Sequence, residues 1–293
     1  MHAYLIMAHS DFYILRKLIE LLDHKNNDIY IHIDKKVSNF DFDYYYSLVK
    51  QSNLFFVNRI DVRWGDYSQI KCEINLLKAA TKKKYHYYHL LSGVDMPLKT
   101  QDEIHNFFNK QNKNFIVFRS NEGLDQSRID RINYYHLFYK NARNKSRLKV
   151  KFSQKMHSIC LKIQKILKIN RIKNIDNFRD GANWFSITDE LARYVVKNEK
   201  QIKKQYKYTY CADEIFLQTL VYNSKYYKNV YSYKNDDYAG IKRSIDWKRG
   251  APYTYTINDY DELIKSGMFF ARKFSTKTDK KIIDKLYKSI KGR

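Results

Sequence analysis

Two prolines, eight glycines and three cysteines are sparse punctuation for a chain of 293 residues. So little proline and glycine leaves scant material for long flexible linkers. Cys72, Cys160 and Cys211 are odd in number and widely spaced, which excludes a disulfide framework and a zinc pattern and fits a reducing cytoplasm. No stretch approaches the roughly 18 uninterrupted apolar residues of a membrane-spanning helix. The start, Met1-His2-Ala3-Tyr4-Leu5-Ile6-Met7-Ala8, lacks a basic leader region and reads directly into a strand, so no signal peptide is expected. No Gly-x-Gly-x-x-Gly precedes an acid-ended strand, which argues against NAD, and there is no internal repeat.

Acidic residues are scarce as well. Hydrophobic residues make up 44% and charged residues 29%, so the chain is neither disordered nor a membrane bundle, yet its net charge is +24. Charge of this size attracts polyanions: nucleic acid, anionic lipid or a phosphorylated small substrate. Its distribution is uneven, because the window from Arg131 to Lys173 holds thirteen Lys or Arg residues and not one Asp or Glu.

Strand and helix alternate through the N-terminal third. Tyr4-Leu5-Ile6-Met7 reads as a buried strand, and Ser10 as the cap of a helix with Ile14, Leu15, Leu18 and Leu22 on one face. Ile29 to Ile33 is a second strand, ending in Asp34, and Leu54 to Val57 a third. Asp66 with Gln69 suggests a capping box, as do Thr100 and Glu103. His86 to Leu91 is a fourth strand, Phe115 to Phe118 a fifth and Gly181 to Ile187 a sixth, with Thr188 capping the helix that follows. This alternation predicts a mostly parallel sheet with helices on both faces, whose ligands bind beyond the carboxyl ends of the strands. Asp34, Trp64-Gly65 and Ser92 to Asp95 fall at such ends.

The candidate site residues follow from that placement. Asp213-Glu214 heads the apolar run Ile215-Phe216-Leu217, where Asp213 suits a capping acid and Glu214 a carboxylate at a cleft mouth, able to take a proton from a hydroxyl. Asp95 sits where nucleotide-sugar enzymes place metal-binding acids, but Gly93 replaces the first acid of an Asp-x-Asp pair, so strong metal dependence is not expected. Asp34 is placed to bond a ribose or base edge, and His9 a phosphate or the base. Phe269 to Phe274 alternates aromatic and basic residues, so Arg272 and Lys273 point to opposite faces and one of them reaches inward. A lysine aimed at a diphosphate would supply the counter-charge of a missing cation.

Six segments in order resemble the core-2/I-branching N-acetylglucosaminyltransferase family, which also holds peptide-O-xylosyltransferases. They are Ala3 to His9, Ile31 to Lys36, Leu90 to Thr100, Gly181 to Phe185, Asp213-Glu214 and Phe270 to Phe274. About Asn121 to Asp176 there is no counterpart. The resemblance implies a GT-A type fold and an inverting, metal-independent transfer from a UDP-sugar to a glycan or lipid-linked glycan hydroxyl, with no cofactor. It implies Glu214 as the base, Lys273 on the diphosphate, His9, Asp34 and Asp95 around the nucleotide, and Trp247 against the acceptor sugar. The family's second diphosphate-binding residue, an arginine, aligns with Tyr255 here, leaving Arg249 or Arg243 as substitutes, of which Arg249 is preferred. The implied donor sugar is N-acetylglucosamine, with xylose the alternative, and the implied setting is bacterial surface polysaccharide or lipooligosaccharide synthesis.

The expected organisation is one domain over 1–293, with a nucleotide-binding half (1–120), a basic helical insertion (121–180) and an acceptor and catalytic half (181–293). A basic nucleic-acid-binding protein is the alternative of another class, but nucleic acid is not expected as a partner, because no nucleic-acid module is present and the aromatics lie on core-like strands. The helix from Ser146 to Lys168 places Phe152, Met156, Ile159, Cys160, Ile163 and Leu167 on one stripe. Such a stripe either faces the core or, with lysines unbalanced by acids, suits an anionic inner-leaflet surface, so the expected location is cytoplasmic with peripheral membrane attachment.

Overall fold

The computed structural model describes residues 1–120, 122–139 and 146–292. Parts of the basic insertion, including Lys140, Arg143 and Lys145, lie outside the described residues. The elements in chain order are β1 (His2–Ala8), α1 (Phe12–Leu22), β2 (Asn27–Ile33), α2 (Phe42–Tyr46), β3 (Asn53–Phe56), α3 (Ser68–Ala80), β4 (Tyr87–Ser92), β5 (Met96–Pro97) and α4 (Gln101–Phe108). There follow α5 (Gln126–Asn133), α6 (Arg147–Ile166), β6 (Ser186–Thr188), α7 (Asp189–Lys197), α8 (Glu199–Tyr206) and α9 (Phe216–Tyr222). The chain continues through β7 (Arg243–Ile245), α10 (Tyr260–Lys265), β8 (Phe270–Arg272) and α11 (Lys280–Lys291).

The fold is mixed α/β, with a central sheet in the order β3-β2-β1-β4-β6, parallel except for β6. β1, β2 and β4 are buried along almost their whole length, as expected of parallel strands covered by helices. α1 packs with α11, and α3 with α7, so the sheet is flanked by helices. A second sheet, β5-β8-β7, sits on its own apolar cluster formed by Met96, Leu98, Phe274, Ile282 and Leu286 with residues of α1. Met7 pairs with Ser92, and Ala8 with Ile33, so His9, Asp34 and the Ser92–Asp95 turn emerge together at one sheet edge.

Local details depart from the sequence pattern at several caps. The first residue before α1 is Asp11, in a left-handed conformation (φ 51°), and its carboxylate bonds Thr276 rather than the helix. Asp66 accepts from the Ser68 amide at 2.9 Å, but Gln69 closes no box, because its side-chain oxygen accepts from the Gly65 amide, while its NH2 donates to Asp213 at 2.9 Å. Thr188 caps nothing and instead donates its hydroxyl to Asn114. The Thr100–Glu103 box and the Ser146 cap are both formed. Phe115 to Phe118 does not become a strand. Phe115 makes a single bridge to Ser186, and the run is buried as an irregular segment.

Of the two alternatives for the α6 stripe, the core-facing one is excluded. The buried positions of the helix are Ser153 and Gln164, while Phe152, Ile159, Ile163 and Leu167 are exposed. The docking is polar, since Gln164 donates to and accepts from the Tyr135 backbone at 3.0 and 2.8 Å, and Ser153 bonds the Phe138 carbonyl. Among the described residues no helix is long and apolar enough to cross a membrane.

Candidate active site

A cleft of about 1700 Å³ opens along the carboxyl edge of the sheet, bounded by His9, Asp34 and Ser92 on one side and by Glu214, Trp247 and Arg272 on others. Asp34 is held there by strand register: its amide donates to Ala8 at 2.9 Å, and its carboxylate accepts from the Lys36 amide at 2.8 Å. The Lys36 ammonium stands 3.3 Å from Asp34 and 3.4 Å from Asp61. Partial desolvation lowers the His9 imidazole below its ordinary value, with Asp34 pulling it partly back.

Glu214 is carried on a single 3-10 turn, Ala212–Glu214, rather than on a continuous helix from Asp213. Cys211 just before it is left-handed (φ 46°), an uncommon state for a residue with a side chain, and its amide is fixed to the Gly65 carbonyl at 2.9 Å. On the far side the Gly181 amide donates to the Glu214 carbonyl at 2.9 Å. A Cβ at Gly181 would fall 2.0 Å from the Val117 carbonyl oxygen, so this approach requires glycine.

Two neighbouring acids have different surroundings. Asp213 is buried and makes no cap, which corrects its expected role. Burial, and secondarily the charge of Glu214, pushes its carboxyl up to about 7. Behind it Glu73 is fully buried and pushed well above the carboxylate range by burial and then by Asp213. Asn183 tempers that rise, although neither Glu73 oxygen makes a hydrogen bond of full geometry. Glu214 is about one-third exposed on the cleft wall, and its Oε2 accepts from Arg131 Nη1 at 3.2 Å. Arg131 is an unforeseen neighbour, and nothing in the local pattern around α5 announces it.

The basic residues are distributed otherwise than the sequence suggested. Arg272 lines the cleft, whereas Lys273 and Arg249 are not among its lining residues. The Arg272 guanidinium lies 3.9 Å from the Trp184 ring centre and 3.9 Å from Asp95, while its buried Nε and Nη1 atoms make no hydrogen bond. Desolvation lowers its pKa, opposed by Asp95. Arg249 is committed to Asp246, to Asp259 at 2.6 Å and to Glu262 at 3.4 Å, and it stacks on Tyr253. Arg243 is buried, donates to the Phe185 carbonyl at 2.8 Å and is pushed down to about 10 by desolvation. The strand alternation around Arg272 and Lys273 was the signal that one of the two reaches inward, but it did not say which.

Asp95 is not among the cleft-lining residues and lies beneath the surface. It accepts from the Ser92 amide at 2.9 Å and the Ser92 hydroxyl at 2.6 Å, tying the turn together. A Cβ on Gly93 would sit 2.8 Å from the Ala8 Cβ, so strand packing leaves no room for an acid there. Among the described residues no group of three His, Cys, Asp or Glu side chains is placed to hold a metal. Trp247 is exposed at the cleft rim, its ring 6.3 Å from that of Tyr238, and Tyr255 is buried below with its hydroxyl 2.8 Å from Ser244.

With this geometry in place, comparison with known proteins gives the family: the Core-2/I-branching enzyme model matches residues 2–266. The chain belongs to the Core-2/I-branching enzyme family. The family match takes in His9, Asp34, Glu214 and Trp247, and stops short of Arg272 and Lys273. Similar proteins include xylosyltransferase 2 of Rattus norvegicus, 24% identical over 305 residues, covering 96% of this chain and 33% of the relative. Xylosyltransferase of Ciona intestinalis is 22% identical over 295 residues, covering 93% and 32%. The chain thus spans about a third of the length of the curated relatives it matches. Among solved structures, mouse xyloside xylosyltransferase 1 aligns over 92% of this chain and 97% of its own at 8% identity. Its TM-score of 0.34 is too low to bear on the family's chemistry.

Proposed function

We propose that this chain is a GT-A type, inverting glycosyltransferase that moves a sugar from a UDP-sugar to a hydroxyl of a glycan acceptor. The observation that carries the reading is one cleft lined by both a solvent-reaching carboxylate, Glu214, and a guanidinium with unused donors, Arg272. Those are the two charges a single displacement at an anomeric carbon asks for: a base for the incoming hydroxyl and a cation for the departing diphosphate.

In this mechanism Glu214 accepts the hydroxyl proton as the acceptor oxygen bonds the anomeric carbon. The bond from that carbon to the diphosphate oxygen breaks, its electron pair leaves with UDP, and the basic pair Arg272-Lys273 meets the growing charge, with Arg272 facing the cleft. His9 and Asp34 hold the nucleotide, and the Asp95–Ser92 bonds shape the turn beneath it. Trp247 offers an aromatic face to the acceptor sugar. No metal has a part in this proposal, because Gly93 cannot carry the first acid of a metal pair and Asp95 is already bonded to Ser92.

N-acetylglucosamine is our first choice of donor sugar, and the names of the relatives favour xylose as the second. A bacterial surface polysaccharide or lipooligosaccharide intermediate is our choice of acceptor. The test is a screen of UDP-sugars for slow hydrolysis with and without chelator. Release of UDP from one donor, indifferent to chelator, is expected. No UDP binding and no release from any donor would sink the reading, and loss of release on chelation would remove its metal-free part.

A further inference from the structure

α6 is inverted relative to an ordinary surface helix, which turns its apolar stripe inward and its polar face to water. Here Leu148, Phe152, Ile159, Ile163 and Ile166 recur at helical spacing on the outward side, and Leu167 continues their edge. Leu148 and Ile166 are 81% and 78% exposed, so almost nothing in the chain covers them. Among the described residues every exposed leucine and isoleucine lies between 137 and 167, so the stripe is one concentrated patch rather than scattered surface. Exposed Lys151, Lys155 and Lys162 flank it.

Charge decides what covers this patch. The window from Arg131 to Lys173 has thirteen cations and no acid, so a second copy of the same face would be repelled. A nucleic acid would meet the cations but leave the aliphatic side chains in water. A surface that is apolar at its centre and anionic at its rim satisfies both features, and that is the interface of a bilayer containing anionic lipid. We infer that α6 lies in the plane of an anionic membrane surface, its aliphatic stripe sunk to the level of the acyl chains and its lysines among the headgroups.

The placement bears on the reaction, and this part rests on the glycosyl-transfer reading. α6 is bonded to the 135–138 stretch through Gln164 and Ser153, and His157 packs at 5.2 Å against Tyr139, which together with Arg131 lines the cleft. The docking helix and the cleft wall that holds Glu214 are therefore one packed unit. A cleft beside the bilayer is the setting that a lipid-linked glycan acceptor requires.

The test is vesicle co-sedimentation of the intact chain on phosphatidylglycerol–phosphatidylcholine vesicles and on phosphatidylcholine alone. Binding is expected only with the anionic lipid, weakening as salt rises. The double variant Leu148→Glu/Ile166→Glu should lose roughly tenfold or more of that binding with unchanged thermal melting, because both side chains stand almost wholly in water. Its UDP release in solution should match the parent's. Absence of binding to anionic vesicles, equal binding of the double variant, or a self-associated species in sedimentation velocity that the same variant abolishes would each overturn the inference. Vesicle binding by a chain that releases UDP from no donor would leave the docking surface standing and sink only the proposed reaction.

Discussion

Arg131 Nη1 stands 3.2 Å from Glu214 Oε2, joining residues 83 positions apart in the chain. The contact engages one carboxylate oxygen and leaves Oε1 for a hydroxyl in the cleft. Replacing Glu214 with Gln keeps the shape of the side chain and one acceptor oxygen for Arg131 but removes the base. Transfer should fall on the order of 10²–10⁴-fold while calorimetric UDP affinity stays within error of the parent. Near-parental transfer by Glu214→Gln would mean that another group takes the proton.

The three basic residues weighed for the diphosphate separate experimentally. Arg272→Met removes a guanidinium whose buried donors are unspent, so UDP affinity should drop by about 10–100-fold, the range of a hydrogen bond to a charged group. Lys273→Met, whose side chain is not on the cleft lining, should cost less. Arg249→Met should leave UDP affinity intact and lower Tm, since Asp259 is buried and loses its cation. Titration of all three variants with UDP ranks them, and an unaffected Arg272→Met would return the role to Lys273.

Much of the frame was legible because short-range chemistry dictates it. β1, β2 and β4 are apolar runs of strand length, Asp34 ends one of them, and Thr100 with Glu103 forms the box that its spacing promises. What escaped reading depends on partners distant in sequence. Gln69 turns its oxygen to the Gly65 amide and its NH2 to Asp213, a long-range partner that no window of α3 reveals. Alternation around Arg272 and Lys273 suggested that one of the two reaches inward, but β8 ends at Arg272, and only its seating on β7 and β5 determines which one meets the cleft. For α6 the periodicity showed an apolar face but not which of core or membrane it meets, because period reports that a face is apolar and not what lies opposite.

Gly93→Asp tests why the first acid of a metal pair is missing. The new Cβ would lie 2.8 Å from Ala8 Cβ and 3.3 Å from Ala8 Cα, against the end of β1. Overpacking of this kind costs about 1–3 kcal/mol, to which a carboxylate in a buried turn adds desolvation. A lower Tm is expected, with no gain of divalent-ion dependence in UDP release. A variant with parental Tm would show that β1 can yield, and that the glycine has another cause.

Stability should fall as the solution is acidified from neutrality. His32, His105 and His136 are each lowered to about 4 by burial, and His2 and His89 are lowered well below their ordinary value for the same reason. The unfolded chain binds protons at these sites near pH 6.5 while the native state does not, so stability is full above that pH and is lost as pH falls toward 4. Protonation of His32 would also break the bond its Nε2 accepts from the Ile60 amide at 2.8 Å. Asp213 works in the opposite sense: raised to about 7, it binds a proton in the native state first and favours folding on the acid side of that value. Three raised acids, Asp213, Glu73 and Asp180, stand against seven lowered histidines, these five together with His9 and His157, so the net slope of Tm between pH 4 and about 6.5 should be positive. His105→Gln should flatten that slope and Asp213→Asn should steepen it. Opposite movement by the two variants in a pH series of melts is the decisive outcome, whereas a slope indifferent to both would place the acid sensitivity in other groups.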